Sequence, residues 1–172
     1  MLLTLFAGFF LSVPVANAAK PVPITAHFDD DIAFPDYFPG TPTPIGKGPM
    51  ARITGRMSRF TIELNGFGPC TFTSTEDGIM NMVTYFGTTH GQITVESGAL
   101  GILTAESDGR VFPTSVLTPI GEVFALGFQG HFIAKRSANI MLVNGLYSGY
   151  FIPYNEFMTS GFLYMDFEFQ TN

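Results

Sequence analysis

Tryptophan is absent from this chain of 172 residues, cysteine occurs once, and charged residues make up only 13% of it. Each shortage excludes something. A single cysteine leaves no intrachain disulfide framework and no cysteine-based zinc cluster. Lys and Arg number 8 against 14 Asp and Glu, for a formal net charge of −6. The scattered positive residues make no basic patch of the kind a nucleic-acid binder carries. Low charge with 46% hydrophobic residues is the reverse of an intrinsically disordered composition. The sequence also lacks a Gly-x-Ser-x-Gly elbow, a phosphate loop, a His-Glu-x-x-His pair and a nucleotide fingerprint. Nothing in it calls for a cofactor, and it reads as a binding or structural protein more than as an enzyme.

What is present is aromatic and punctuated. The chain holds 19 Phe, 6 Tyr and 19 Gly. Met1 to Ala19 is uncharged and Leu2 to Leu11 is a nearly continuous apolar run. Ala16-Asn17-Ala18 follows, with the small residues that signal peptidase accepts. Residues 1–18 therefore read as a signal peptide, and the mature protein is expected to start at Ala19 or Lys20. Secretion, or release into a periplasm, is the expected localisation. Most of the 12 prolines lie between Pro21 and Pro69. Proline lacks an N–H and restricts the residue before it, so residues 19–49 read as a Pro-rich extended arm, with at most a short edge strand over Pro23 to Phe28.

From residue 50 to 172 the hydrophobic period is two. In Ser58 to Asn65, Phe60, Ile62 and Leu64 share one face, as in a half-buried strand. Gly66-Phe67-Gly68-Pro69 turns the chain, and Cys70 and Phe72 share a face beyond it. Glu76-Asp77-Gly78 and Ser107-Asp108-Gly109 read as hairpin turns, because Asp-Gly tolerates positive φ. Ile79 to Phe86 reads as a strand ended by Gly87. Ser137-Ala138-Asn139 is expected to turn the chain, and Asn144-Gly145 to separate two short strands. Glu122 to Arg136 has a bulky face, with Phe124, Leu126, Phe128 and Phe132, and a small or polar face that includes Gln129 and His131. No helix is expected beyond the signal. The tally is about eight to ten strands at hairpin spacing, an all-β antiparallel barrel or sandwich. Signal segment, Pro-rich arm and Gly-punctuated meander together resemble, in length and pattern, the small secreted eight-stranded barrels of the allene-oxide-cyclase and lipocalin kind. The Gly-Gly-Thr-Gly motif of the first group and the Gly-x-Trp of the second are absent.

Three sets of residues invite chemistry. His27, Asp29 and Asp31 alternate, so an extended chain puts an imidazole and two carboxylates on one side, a donor set suited to a divalent metal. His131 and Gln129 are polar groups that would orient a ligand if their face met a cavity, with Phe128 of the bulky face lining the interior. Cys70 needs a base to be a nucleophile, and only His90 or His131 is offered; a buried thiol beside Phe72 is the simpler reading. The sequence thus favours an exported soluble barrel or sandwich that binds an apolar small molecule or a protein partner without catalysis. An extracellular structural or matrix subunit, assembling through the arm with its own copies, is a second reading. An eight-stranded outer-membrane barrel is a third, since a chain of this length suffices for one.

Overall fold

The computed structural model describes residues 23–99, 101–134 and 142–171, and every described element is a strand. The strands are β1 (Ile24–Ala33), β2 (Tyr37–Phe38), β3 (Thr41–Pro44), β4 (Met50–Leu64), β5 (Gly68–Asn81), β6 (Gly87–Ser97), β7 (Gly101–Thr118), β8 (Gly121–Ala134), β9 (Leu142–Pro153) and β10 (Ser160–Thr171). All pairings are antiparallel, in the order β1-β10-β9-β8-β7-β6-β5-β4-β2, with β3 also on β4. The expected signal segment and the Ser137-Ala138-Asn139 turn lie outside the described residues.

The sheet curls into a nearly closed barrel. β1 and β4 face each other across a seam that carries no ladder. Side chains bridge it, with the Phe28 and Phe60 rings 4.2 Å apart. β2 and β3 cover the rest of the free β4 edge, from Ala51 to Ser58. Prolines suit this position, because an edge strand can spare the donor they lack. The strand expected over Pro23 to Phe28 runs on to Ala33, since every residue from Ile24 to Ala33 has a partner on β10.

Side chains alternate in and out of the barrel. Ile62, Leu64, Cys70, Phe72, Val95, Leu103, Phe132 and Phe169 fill one end and are almost fully buried. Leu126, Phe128 and Phe132 of the bulky β8 face point inward as expected, while Phe124 lies beyond the wall and packs on Tyr85. Four of the glycines share one packing cause with four aromatic rings. Directly opposed pairs Phe112–Gly127, Phe128–Gly149, Tyr147–Gly130 and Phe132–Gly145 each lay a ring over a glycine, where a Cβ would collide with the ring. Such aromatic cover lets a strongly coiled sheet keep its glycines.

That packing explains several misread turns. Gly78 and Gly109 are not in the left-handed region; they sit inside β5 and β7, which pass straight through the expected hairpins. A Cβ at Gly78 would meet the Thr88 backbone, and one at Gly109 the Tyr147 hydroxyl. These glycines serve close approach, and the Asp-Gly dipeptides turn nothing. Asn144-Gly145 likewise lies within a continuous β9, with Gly145 under Phe132. β5 ends at Asn81, so the turn precedes Phe86 and Gly87 opens β6. Gly66 and Gly68 do turn the chain, at φ +88° and +71°.

Candidate functional site

The meander sends four connections to one end of the barrel: residues 34–49, 82–86, 119–120 and 154–159. The ladders of β6 and β9 stop at Val111 and Leu126, so the β7–β8 hairpin projects past this end. Its tip holds Leu117 and Ile120 at 84% and 92% exposure. Within this rim opens a cavity of about 350 Å³. Met80, Met82, Tyr85, Val111, Leu126 and Met158 give it apolar walls, and Tyr37, Arg56, Glu76, Phe128 and Phe151 form its floor. A smaller space of about 30 Å³ lies behind the floor, bounded by Ser58, Ser74, Tyr147, Leu163 and Met165.

The floor is the unusual part. Arg56 points inward in phase with Ser58, Phe60, Ile62 and Leu64, and β4 bulges just before it, between Ile53 and Arg56, so that Ala51 on the opposite parity is buried as well. Gly55 takes φ +67° in the bulge, and its N–H donates to Asp77 Oδ1 at 2.8 Å. Arg56 Nη2 then stands 3.5 Å from Glu76 Oε2, with the two side chains 24% and 6% exposed. Burial is the largest influence and works to lower the Arg56 pKa, but the Glu76 carboxylate and the Tyr37 and Tyr147 phenols together outweigh it, and the pKa is raised. The guanidinium therefore stays charged. Burial pushes the Tyr37 and Tyr147 phenols up, so both stay protonated. Ser58 and Ser74 hydroxyls pair at 2.9 Å. Among the described residues, Arg56 Nε and Ser107 Oγ are buried without a hydrogen-bond partner, and the Tyr147 hydroxyl has only the Thr89 side chain beside it.

The residues singled out by sequence are distributed differently. Phe128 lies in the cavity floor, but Gln129 and His131 are exposed on the outer face of β8. They belong to two polar rows that cross the barrel wall in register. One runs His27–Asp166–Ser148–Gln129–Arg110–Thr88, the other Glu168–Leu146–His131–Asp108–His90–Asp77. All 3 histidines of the chain are in these rows. The hollow they flank, about 1420 Å³, is an open trench around the outside. Its walls are solvated, whereas the mouth cavity is deeper and mainly apolar above its charged floor. His27 Nδ1 is 2.8 Å from Asp166 Oδ1, and its Nε2 is 3.5 Å from Asp29 Oδ2. The Asp166 hydrogen bond chiefly raises the His27 pKa, against burial and with help from Asp29. Asp31 instead accepts a short hydrogen bond from the Tyr154 hydroxyl, so the structure does not gather His27, Asp29 and Asp31 into one group. Among the described residues no cluster of three or more His, Cys, Asp or Glu is arranged to hold a metal ion. His90 pairs with Asp108 at 2.8 Å. Cys70 is buried in the packed end, its Sγ 3.4 Å from the Gly68 carbonyl.

Arg56, Glu76 and Tyr147 were not singled out by sequence. The alternation Cys70, Phe72, Ser74, Glu76 does point Glu76 inward, a signal hidden by reading Glu76-Asp77-Gly78 as a turn. No protein-family model, curated protein or solved structure matches the chain.

Proposed function

We propose that this protein is an exported barrel that binds an apolar small molecule in its mouth cavity and catalyses nothing. The observation that carries the reading is the recessed space of about 350 Å³ with methionine and aromatic walls. Pockets of that size and lining are characteristic of small-molecule sites, and methionine adapts its shape to what it holds. The exposed apolar tips around the rim favour contact with an apolar ligand or its carrier. Two facts support this reading over the alternatives. The outer face carries charged residues and histidines at mid-strand, where an outer-membrane barrel needs an apolar band. The part of the Pro-rich arm from Ile24 to Pro44 makes its pairings within its own sheet, which disfavours a strand donated to a neighbour.

The test is titration of the purified protein with the neutral fluorophore N-phenyl-1-naphthylamine. Saturable enhancement near one site per chain, altered by Phe128→Ala, is expected; an absence of saturable binding overturns the reading. The export half is tested by intact mass, which should place the first residue at Ala19 or Lys20. A mature protein retaining residues 1–18 refutes it.

A further inference from the structure

Resting on the reading of the mouth cavity as a ligand site, we infer that its ligand is an apolar molecule carrying one neutral hydrogen-bonding group, a hydroxyl or carbonyl, and that carboxylates are rejected. The group docks between Arg56 and Glu76 of the floor, toward the small space behind it that Tyr147 bounds.

The argument is one of charge and valence. The floor already holds one cation and one anion, Arg56 and Glu76, so it is neutral as built. A fatty-acid carboxylate would bring a second anion beside Glu76 with little water to screen it, and like charges in such a site strongly disfavour each other's ionised forms. A neutral oxygen has no such conflict. Arg56 carries five N–H donors; among the described residues its Nε is buried with no acceptor, and the Tyr147 hydroxyl has only the Thr89 side chain beside it. Buried donors left unmade are costly, so an acceptor oxygen here gains what the apo floor lacks. A hydroxyl would in addition donate to Glu76. The space behind the floor, about 30 Å³, suits one small polar group, roughly the volume of a water molecule. The apolar walls above it take the rest of the molecule.

The experiment measures displacement of N-phenyl-1-naphthylamine by decan-1-ol and by decanoate at pH 7.5, on wild type and on Glu76→Gln. Decanol should bind the more tightly to wild type. Part of that preference comes from its lower polarity alone, so the variant carries the weight: with the Glu76 charge removed, the gap should narrow by about tenfold, the effect of one moderately desolvated charge pair. Decanoate binding wild type as well as decanol overturns the inference, as does a gap unchanged in Glu76→Gln. Should that variant fail to fold, Tyr147→Phe tests the same floor. It should weaken decanol several-fold and leave the fluorophore unaffected, and an unchanged decanol affinity overturns the inference. If the fluorophore itself finds no saturable site on wild type, the cavity reading falls; if it binds and neither ligand displaces it, only the present inference does.

Discussion

Truncating two phenylalanines of the same strand should separate the solid end of the barrel from the hollow one. Phe132 is 1% exposed, its ring lies over Gly145, and its centroid is 5.2 Å from that of Phe169. Phe128, four residues earlier on the same face, is 6% exposed but borders both the mouth cavity and the space behind it. Phe132→Ala removes a ring from close-packed surroundings, so it loses the transfer free energy and creates a new void, at about 3–5 kcal/mol. Phe128→Ala enlarges a void that already exists. It should forfeit mainly the transfer part, about 1.5–3 kcal/mol. Equilibrium urea unfolding of the two variants, with a common slope as the check on two-state behaviour, measures both. Phe128→Ala should also change fluorophore binding, whereas Phe132→Ala should not. Equal losses in stability would refute the division into a packed and a hollow end, and a larger loss for Phe128→Ala would reverse it.

Three further outcomes follow from the side-chain environments. Glu76→Ala leaves the Arg56 guanidinium buried without its counter-charge and should cost about 3–5 kcal/mol, while the double replacement Arg56→Met with Glu76→Leu should recover most of that loss; urea midpoints decide, and an additive double variant contradicts the pairing. Cys70 should be inert to a thiol reagent in the folded protein and react at the rate of unfolding, so prompt native labelling would place it at the surface. The His27 imidazole should titrate above its ordinary value of 6.5 by NMR. A raised folded-state pKa means that the Asp166 pairing stabilises the fold fully below the unfolded value and ceases to as pH rises through the folded one. Asp166→Asn should bring the midpoint down, and an unmoved midpoint excludes Asp166 as the cause.

The strands were legible wherever alternation alone decides. Phe60, Ile62 and Leu64, or Leu126, Phe128 and Phe132, declare a buried face without reference to any partner. The turns were less so, because Asp-Gly signals a hairpin only if its glycine must take positive φ. At Gly78 and Gly109 the glycine is needed by a neighbour across the sheet, which a single strand's sequence does not reveal. The site was the least legible. Arg56 stands in phase with Phe60, Ile62 and Leu64, but the strand expected over Ser58 to Asn65 starts after it, and its partner Glu76, directly opposite on β5, reads as a turn residue. His131 and Gln129 are polar and regularly spaced, yet they stand on the water side of a wall whose inner face is held by Phe128 and Phe132.

The pairing of Ile24 with Phe169 has a consequence for how the molecule assembles. Among the described residues the first strand of the barrel has its only hydrogen-bonded ladder on the last, so that ladder cannot form until β10 exists. Hairpins from β4 onward can form in the order they are synthesised, each beside its predecessor. The N-terminal strand must wait, and its ordering closes the longest loop in the chain, a step that carries a large entropic cost and slows folding. Until it completes, the β10 edge stays open, as does the part of the β4 edge beyond Ser58 that β2 and β3 leave uncovered. The seam beside β1 is accordingly the last part of the barrel to close and the first place from which it would come undone.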